Sequence, residues 1–379
     1  RLALTQPQGP VMLYQNYLAG QIHVYPEHRD HDPGHGDLFP ANTPFFLVSQ
    51  GSSYTDRPHL EALAMILAAL RPETKAFLHE SQLLAATVQM IFRRSLAPVL
   101  SREAYRSGLA HPSVIPRDRI NLMRMVSLAN ALTPDTVPPM VRMAVLEEDE
   151  AIEGIHYFGE GLGERLFDTP VAIARIWRST APRRSMVVSV EATRDLQGRA
   201  PEFHWRLLRG DPARSRIEPL DARGLRARIT LDWQLPRPVP GQAGLVSNRV
   251  DIGVFVRSGD HDSMPGLISV LLPQHETRRY GPGPDGALRI ESVDYRVPEG
   301  VYADPVLFPQ ADWRDVHRYD AEGHLSGWDR QGAEGVLRFD AAGRHITPAG
   351  PQPVRHVVER PPGRAPRVVL RTGPDSTAE

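Results

Sequence analysis

Between His23 and Asp37 the chain places four histidines and four acids within fifteen residues: His23, Glu27, His28, Asp30, His31, Asp32, His35 and Asp37. Neutral imidazole nitrogens and carboxylate oxygens are ligands that zinc and other first-row ions accept, and glycines let a loop fold several of them around one point. His28, Asp30, His31, Asp32, His35 and Asp37 are therefore the candidate ligands of a divalent metal ion. The spacing follows no rigid signature such as His-Glu-x-x-His on a helix, and a loop loses chain entropy in assembling a site. A solvated polar loop, or one held by its own hydrogen bonds, is the simpler expectation, with metal binding the alternative.

The second candidate is Ser49-Gln50-Gly51-Ser52-Ser53-Tyr54-Thr55-Asp56, between an expected strand and an expected helix. A helix start offers unpaired N–H groups and a favourable dipole, so α/β enzymes place nucleophiles and bound anions there. Ser52 and Ser53 are the candidate nucleophiles, and Gly51 and Asp56 the candidate ligand-binding residues. The pattern is not Gly-x-Ser-x-Gly, and Ser, Thr or Asp before a helix is more simply its cap. A histidine of the first loop would then act as base for Ser52 or Ser53, or hold an ion that polarises a substrate.

Two further polar groups have plain readings. Glu147-Glu148-Asp149-Glu150 is expected to be a solvated turn. Asp251, Asp260, His261 and Asp262 read as a solvated strand end, with calcium binding the weaker alternative.

Composition excludes several classes. The 379 residues hold 44 basic and 45 acidic side chains, so no global field draws nucleic acid. There is no cysteine, hence no disulfide, thiolate metal site or cysteine nucleophile. The longest apolar-rich stretch, Leu60 to Leu70, is interrupted by Glu61, which argues against a membrane span. No Walker-type motif supports nucleotide binding. At 41% apolar and 23% charged residues the chain has the makings of a core, and 36 prolines with 30 glycines predict many turns. The chain opens on Arg1 without a signal-peptide pattern, as a processed product would.

The elements that must position these groups follow from periodicity. Residues 1–40 read as irregular, apart from an apolar-aromatic stretch at Val11 to Leu18 and a short strand at Gln21 to Tyr25. Phe45 to Val48 reads as a buried strand. A helix capped by Asp56, with Pro58 in its first turn, presents Leu60, Leu63, Ala64, Leu67 and Leu70 as its apolar stripe. A second helix is expected from about Pro72 to Arg94, and a third from about Arg117 to Leu132 with Ile120, Met123, Val126 and Leu128 apolar. Val141 to Leu146 reads as a strand beside the first. From Ser185 the period alternates, predicting strands at Met186 to Ala192, Glu202 to Leu208, Arg226 to Trp233, Arg249 to Val256 and Leu267 to Leu272. In the fourth, Val250, Ile252, Val254 and Val256 share one face.

The stretch Val188-Ser-Val-Glu-Ala-Thr-Arg-Asp195, the Gly198 turn, Phe203-His204-Trp205 and the strand closing near Val256-Arg-Ser-Gly-Asp260 resemble a PKD-type Ig-like domain over about Ser185 to Leu271. The usual Asp-x-Asp-Gly turn and Gly-Asp-Gly segment of that family are missing. The resemblance implies a β-sandwich with Trp205 in its core and says little about chemistry. Farther on, Tyr319-Asp320-Ala321-Glu322-Gly323-His324 and Phe339-Asp340-Ala341-Ala342-Gly343-Arg344 repeat one motif twenty residues apart, an aromatic strand end running into a tight turn. This resembles the YD repeats of secreted and surface-attached bacterial proteins, and implies an exported protein.

The expected fold class is thus an α+β multidomain chain. It has an irregular His/Asp-rich segment (1–40), a mainly helical domain with a few strands (41–180), a PKD-like antiparallel sandwich (185–275), a β-hairpin-rich region (276–347) and an extended tail (348–379) with a last strand at Arg367 to Leu370. The favoured function is an exported or surface-associated binding or scaffold protein with a protein or carbohydrate partner. The alternative is a metal-assisted hydrolase built on the His/Asp loop and the Gly51-Ser52-Ser53 turn.

Overall fold

The structure, a computed structural model, describes residues 2–6, 8–28, 31–32, 34–51, 54–333 and 335–372. It divides the chain into two compact units. The first comprises residues 1–148, 165–175 and 185–271; the second comprises 149–164, 176–184 and 272–379.

The expectation of a mainly helical N-terminal domain is overturned, because strands dominate the chain and the helices share one core with them. Ile66, Met90 and Phe92 of the helices lie in the same cluster as Ala172, Phe255 and Leu267 of a sheet. In that first unit a four-stranded sheet runs in the order Ser215–Pro219, Arg226–Asp232, Arg183–Ser189, Ala144–Glu148. A larger sheet runs His261–Asp262, Arg249–Ser258, Gly266–Leu271, Ala172–Ile176, Arg165–Thr169, with Glu202–Arg209 also pairing on Arg249–Ser258. Trp205 is buried as expected, and its indole donates to the carbonyl of Gly224 in the turn joining two strands of the smaller sheet (2.9 Å). Four of the strands expected after Ser185 stand within two residues of their expected ends, and the other, Arg183–Ser189, is shifted three residues toward the N-terminus; Ser215–Pro219 was not foreseen.

The differences nearer the N-terminus have physical causes. Phe46–Gln50 pairs in parallel with His23–Glu27, while Ala144–Glu148 pairs with Arg183–Ser189 in another sheet. The helix expected over Pro72 to Arg94 is two, Pro72–Glu80 and Leu84–Arg94, separated where Gln82 takes a positive φ of 60°. The third is shortened to Leu122–Ala131, with Met125 and Ala129 inside and Met123 exposed. Helix Arg57–Ala69 is apolar on nearly every side, so periodicity leaves its rotation open. His59 sets the rotation by bonding to Ile115 O (2.9 Å) and stacking on Phe92 at 6.0 Å, which turns Ala62 and Ile66 inward and Leu60 outward. Glu148, expected to be solvated, receives the Arg175 guanidinium at 2.6 and 3.0 Å.

Strand Arg249–Ser258 is buried on both faces rather than one. Alternation puts Val250, Ile252, Val254 and Val256 on one side and Arg249, Asp251 and Phe255 on the other. A buried charge is tolerated only when paired and hydrogen-bonded. Arg249 donates to both oxygens of Asp251 (2.7 and 2.8 Å) and to Ser113 Oγ (2.6 Å), and lies 3.2 Å from Asp37. Arg209 donates to Asp37, and Ser269 Oγ donates to Asp251 (2.7 Å). Burial alone would raise both carboxyls, but the two guanidiniums hold Asp37 and Asp251 below the ordinary carboxylate range. Removing Asp37 leaves two buried guanidiniums sharing one carboxylate. Asp37→Ala is expected to destabilise the first unit by about 3–5 kcal/mol, read as a lowered urea midpoint; an unchanged midpoint would contradict this assignment.

The second unit is a seven-stranded antiparallel meander from Thr277–Pro282 to Gly350–Gln352, followed by the hairpin Val354–Glu359/Arg367–Thr372 where an extended tail was expected. Both repeated motifs turn one strand into the next. The Asp320 carboxylate accepts from His324 N (2.7 Å) and that of Asp340 from Arg344 N (2.9 Å), while Gly323 and Gly343 take φ of 82° and 78°. The core holds Arg330, which is bonded to Asp315 at 2.8 and 2.7 Å and lies 4.2 Å from the ring centres of both Phe158 and Trp313. Its remaining arm donates to His356 Nε2 (2.7 Å), which requires a neutral imidazole.

Burial pulls His31, His275 and His317 down to about 4, and His356 to about 3. In the unfolded chain each takes up its proton near the ordinary 6.5. Between those values the unfolded state holds more protons, so stability is full above about pH 7 and falls as pH drops toward 4. The expected loss is about 1–2 kcal/mol per histidine between pH 7 and 5. Thermal melts at pH 7.5 and 5.0 should differ by several degrees, and coincident melts would show that these imidazoles are not buried neutral.

Candidate functional site

The residues singled out by the sequence do not converge. His31 and Asp37 face each other across the small hairpin His31–Asp32/Gly36–Asp37, with His31 Nδ1 3.9 Å from Asp37 Oδ1, and both side chains are fully buried. Asp37 is committed to Arg209 and Arg249. Asp32 instead turns outward, accepting from Gly34 N (2.7 Å) and lying 3.3 Å from His35 Nδ1; these bonds hold its carboxyl below the ordinary range. His28 is exposed. Asp30, Ser52 and Ser53 lie outside the described residues. Among the described residues no three His, Asp or Glu side chains are grouped as a metal ion would require.

At the strand-to-helix turn the Gly51 N–H is already bonded to Glu27 O (3.0 Å). Gly51 has a φ of 131°, and a Cβ there would meet Thr55 Cγ2 at 2.8 Å, so glycine is required by the turn itself. Helix Arg57–Ala69 begins where expected, but the Asp56 carboxylate makes no capping bond.

A cleft of about 480 Å³ lies elsewhere in the first unit. Such a volume lies within the range of small-ligand sites, about 300–1,000 Å³. Three helices and a turn build it. Helix Leu84–Arg94 supplies Met90 and Arg94, and its capping residue is Ser95; helix Arg102–Tyr105 supplies Arg102; helix Leu122–Ala131 supplies Arg124, Ser127 and Leu128. Opposite them stand Asp260, His261 and Asp262, three of the four residues read from the sequence as a solvated strand end.

Charge in this cleft is unbalanced. Asp262 is taken by Arg106, which donates to it through Nε (3.1 Å) and Nη2, and Arg102 Nε lies 3.5 Å away. These contacts answer one carboxylate with two guanidiniums and close off the calcium reading of Asp262. Among the described residues Arg94 donates to Val99 O (3.3 Å), and Arg124 to the carbonyls of Arg94, Leu96 and Val99. Neither has a carboxylate partner among the described residues. The Arg124 guanidinium is held below its ordinary pKa by burial and by the like charge of Arg94. His261 is held down first by burial and then by Arg94 and Arg102, against Asp260, so it is neutral at pH 7. Each guanidinium has five N–H donors, so several remain for a ligand.

The arginines were missed because they come from three separate helices, with nothing in their spacing to bring them together. All but one of the 44 basic side chains are arginine, Lys75 being the exception, so arginine content carries no local signal either.

No protein-family model and no curated protein matches this chain. Among solved structures it has a likeness to the N-terminal Ig1-2 module of the Drosophila receptor protein tyrosine phosphatase DLAR, at 10% identity over 53% of this chain and 92% of that one, with a TM-score of 0.17. A likeness at that score carries no argument about fold or function.

Proposed function

We propose that this is a binding or scaffold protein whose cleft receives the acidic group of a protein or carbohydrate partner. The observation that carries this reading is the pair Arg94 and Arg124, two guanidiniums on one cleft wall without a carboxylate to neutralise them. A guanidinium held by backbone carbonyls alone keeps its full charge, and planar oxyanions match its fork geometry. Export from the cell belongs to the same proposal and rests on the likeness of the two hairpin turns to YD repeats. The metal-assisted alternative gains no support, since Asp37 is bound by two arginines and the Gly51 N–H is already used.

Titration calorimetry with inorganic phosphate at low ionic strength tests the reading. Phosphate is expected to bind and to weaken as salt is added, and Arg94→Ala is expected to weaken it about tenfold, or about 1.4 kcal/mol. Arg94 is only partly buried, so its removal should leave the melting temperature nearly unchanged. Absence of phosphate binding, or equal binding by the variant, overturns the proposal.

A further inference from the structure

We infer that the ligand of the cleft is an acidic sugar, that is, an anionic substituent carried on a polyhydroxylated ring. The inference rests on the anion-binding reading above and goes further by reading the rest of the cleft.

A bare oxyanion displaces little more than two or three waters of about 30 Å³ each, so it would occupy a fraction of the 480 Å³ available. Of the other lining side chains, Arg102 is turned to Asp262 and the Asp260 carbonyl, and the rest include hydroxyls, a carboxylate and an imidazole. Ser95, which follows helix Leu84–Arg94, places a hydroxyl on the cleft lining. Ser127 adds a second hydroxyl. The Asp260 carboxylate forms no ion pair with a described residue; only its backbone carbonyl is used, by Arg102 (3.2 Å). Next to it, His261 presents a neutral imidazole, which both accepts and donates. Leu128 and Ala131 contribute accessible apolar surface to the same cleft.

A ligand that satisfies this set carries an anion for Arg94 and Arg124, hydroxyls for Ser127, His261 and Asp260, and C–H surface for Leu128 and Ala131. Sugar rings have all three. A blocked peptide carboxylate satisfies the arginines alone and leaves the hydroxyl, imidazole and Asp260 partners unmet. The source of the anion, a carboxylate at ring carbon 6 or a phosphate ester, is left to the probes.

The test compares inorganic phosphate, glucose, glucose 6-phosphate, glucuronate and an N-acetylated dipeptide acid by titration calorimetry against the full chain. At least one acidic sugar is expected to bind ten times more tightly than phosphate, with glucose and the dipeptide weaker than either. Asp260→Asn is expected to bring the acidic sugar down to the affinity of phosphate, and Asp260 is exposed enough that the fold should not change, which a melt checks. If phosphate binds but neither acidic sugar improves on it, or the dipeptide binds as tightly as the sugar, or Asp260→Asn changes nothing, this inference fails while anion binding stands. If no anion binds, both fail. Preference between glucuronate and glucose 6-phosphate identifies the source of the charge.

Discussion

Arg249 can lie inside the first unit only because Asp251 grips its guanidinium at two points and Asp37 stands 3.2 Å away. Taking an ion out of water costs several kcal/mol even after relaxation, and the loss is recovered only where partners are in place. That requirement links distant parts of the chain. Asp37 comes from the hairpin near the N-terminus, Arg209 from strand Glu202–Arg209, Arg249 and Asp251 from strand Arg249–Ser258, and Ser113 from the loop after helix Arg102–Tyr105. Two carboxylates and two guanidiniums balance, and His31 beside them stays neutral. The strand can then be covered on both faces, its charged side by the N-terminal hairpin and the loops that carry Phe39 and Ser113.

Arginine suits this role for geometric reasons. Its planar fork meets both oxygens of a carboxylate at once, as Arg330 does with Asp315 and Arg175 with Glu148, and its face stacks on rings, as Arg330 does beside Phe158 and Trp313. Lysine would offer a point charge and lose the second bond. A chain with Lys75 as its one lysine can therefore put cations in its interior, and in each of these cases the guanidinium is matched by acid.

Legibility followed from how local each signal was. The strands after Ser185 could be read because alternation is local, and the two hairpin turns because aromatic-Asp-x-x-Gly writes its own geometry. The rotation of helix Arg57–Ala69 was hidden because its sequence is apolar all round, and a contact with Ile115 decides it. The shared core of helices and strands was hidden for the same reason: a helix stripe shows that something covers it, not whether a helix or a sheet does. The His/Asp loop attracted attention by density, whereas its most buried acid, Asp37, serves packing. The cleft left almost no mark, since Arg94, Arg102 and Arg124 are separated in sequence and meet only when three helices pack.

The useful distinction among charges in this molecule is therefore between matched and unmatched. Density of ionisable residues picks out the N-terminal loop, and burial picks out the cluster around Arg249, but both are explained by the chain's own partners. A guanidinium that is bonded only to carbonyls is different. Its hydrogen bonds fix its position, yet carbonyl dipoles do not cancel its charge; burial first, and then the like charge of Arg94 beside it, hold Arg124 below its ordinary pKa. Bonding the carbonyls at the end of helix Leu84–Arg94 gives Arg124 a structural task as well, but those bonds leave the two like charges side by side on the cleft. An anion arriving from solution removes the repulsion and gains two forks already held in place, so the electrostatic cost borne by the empty cleft becomes affinity when it is filled.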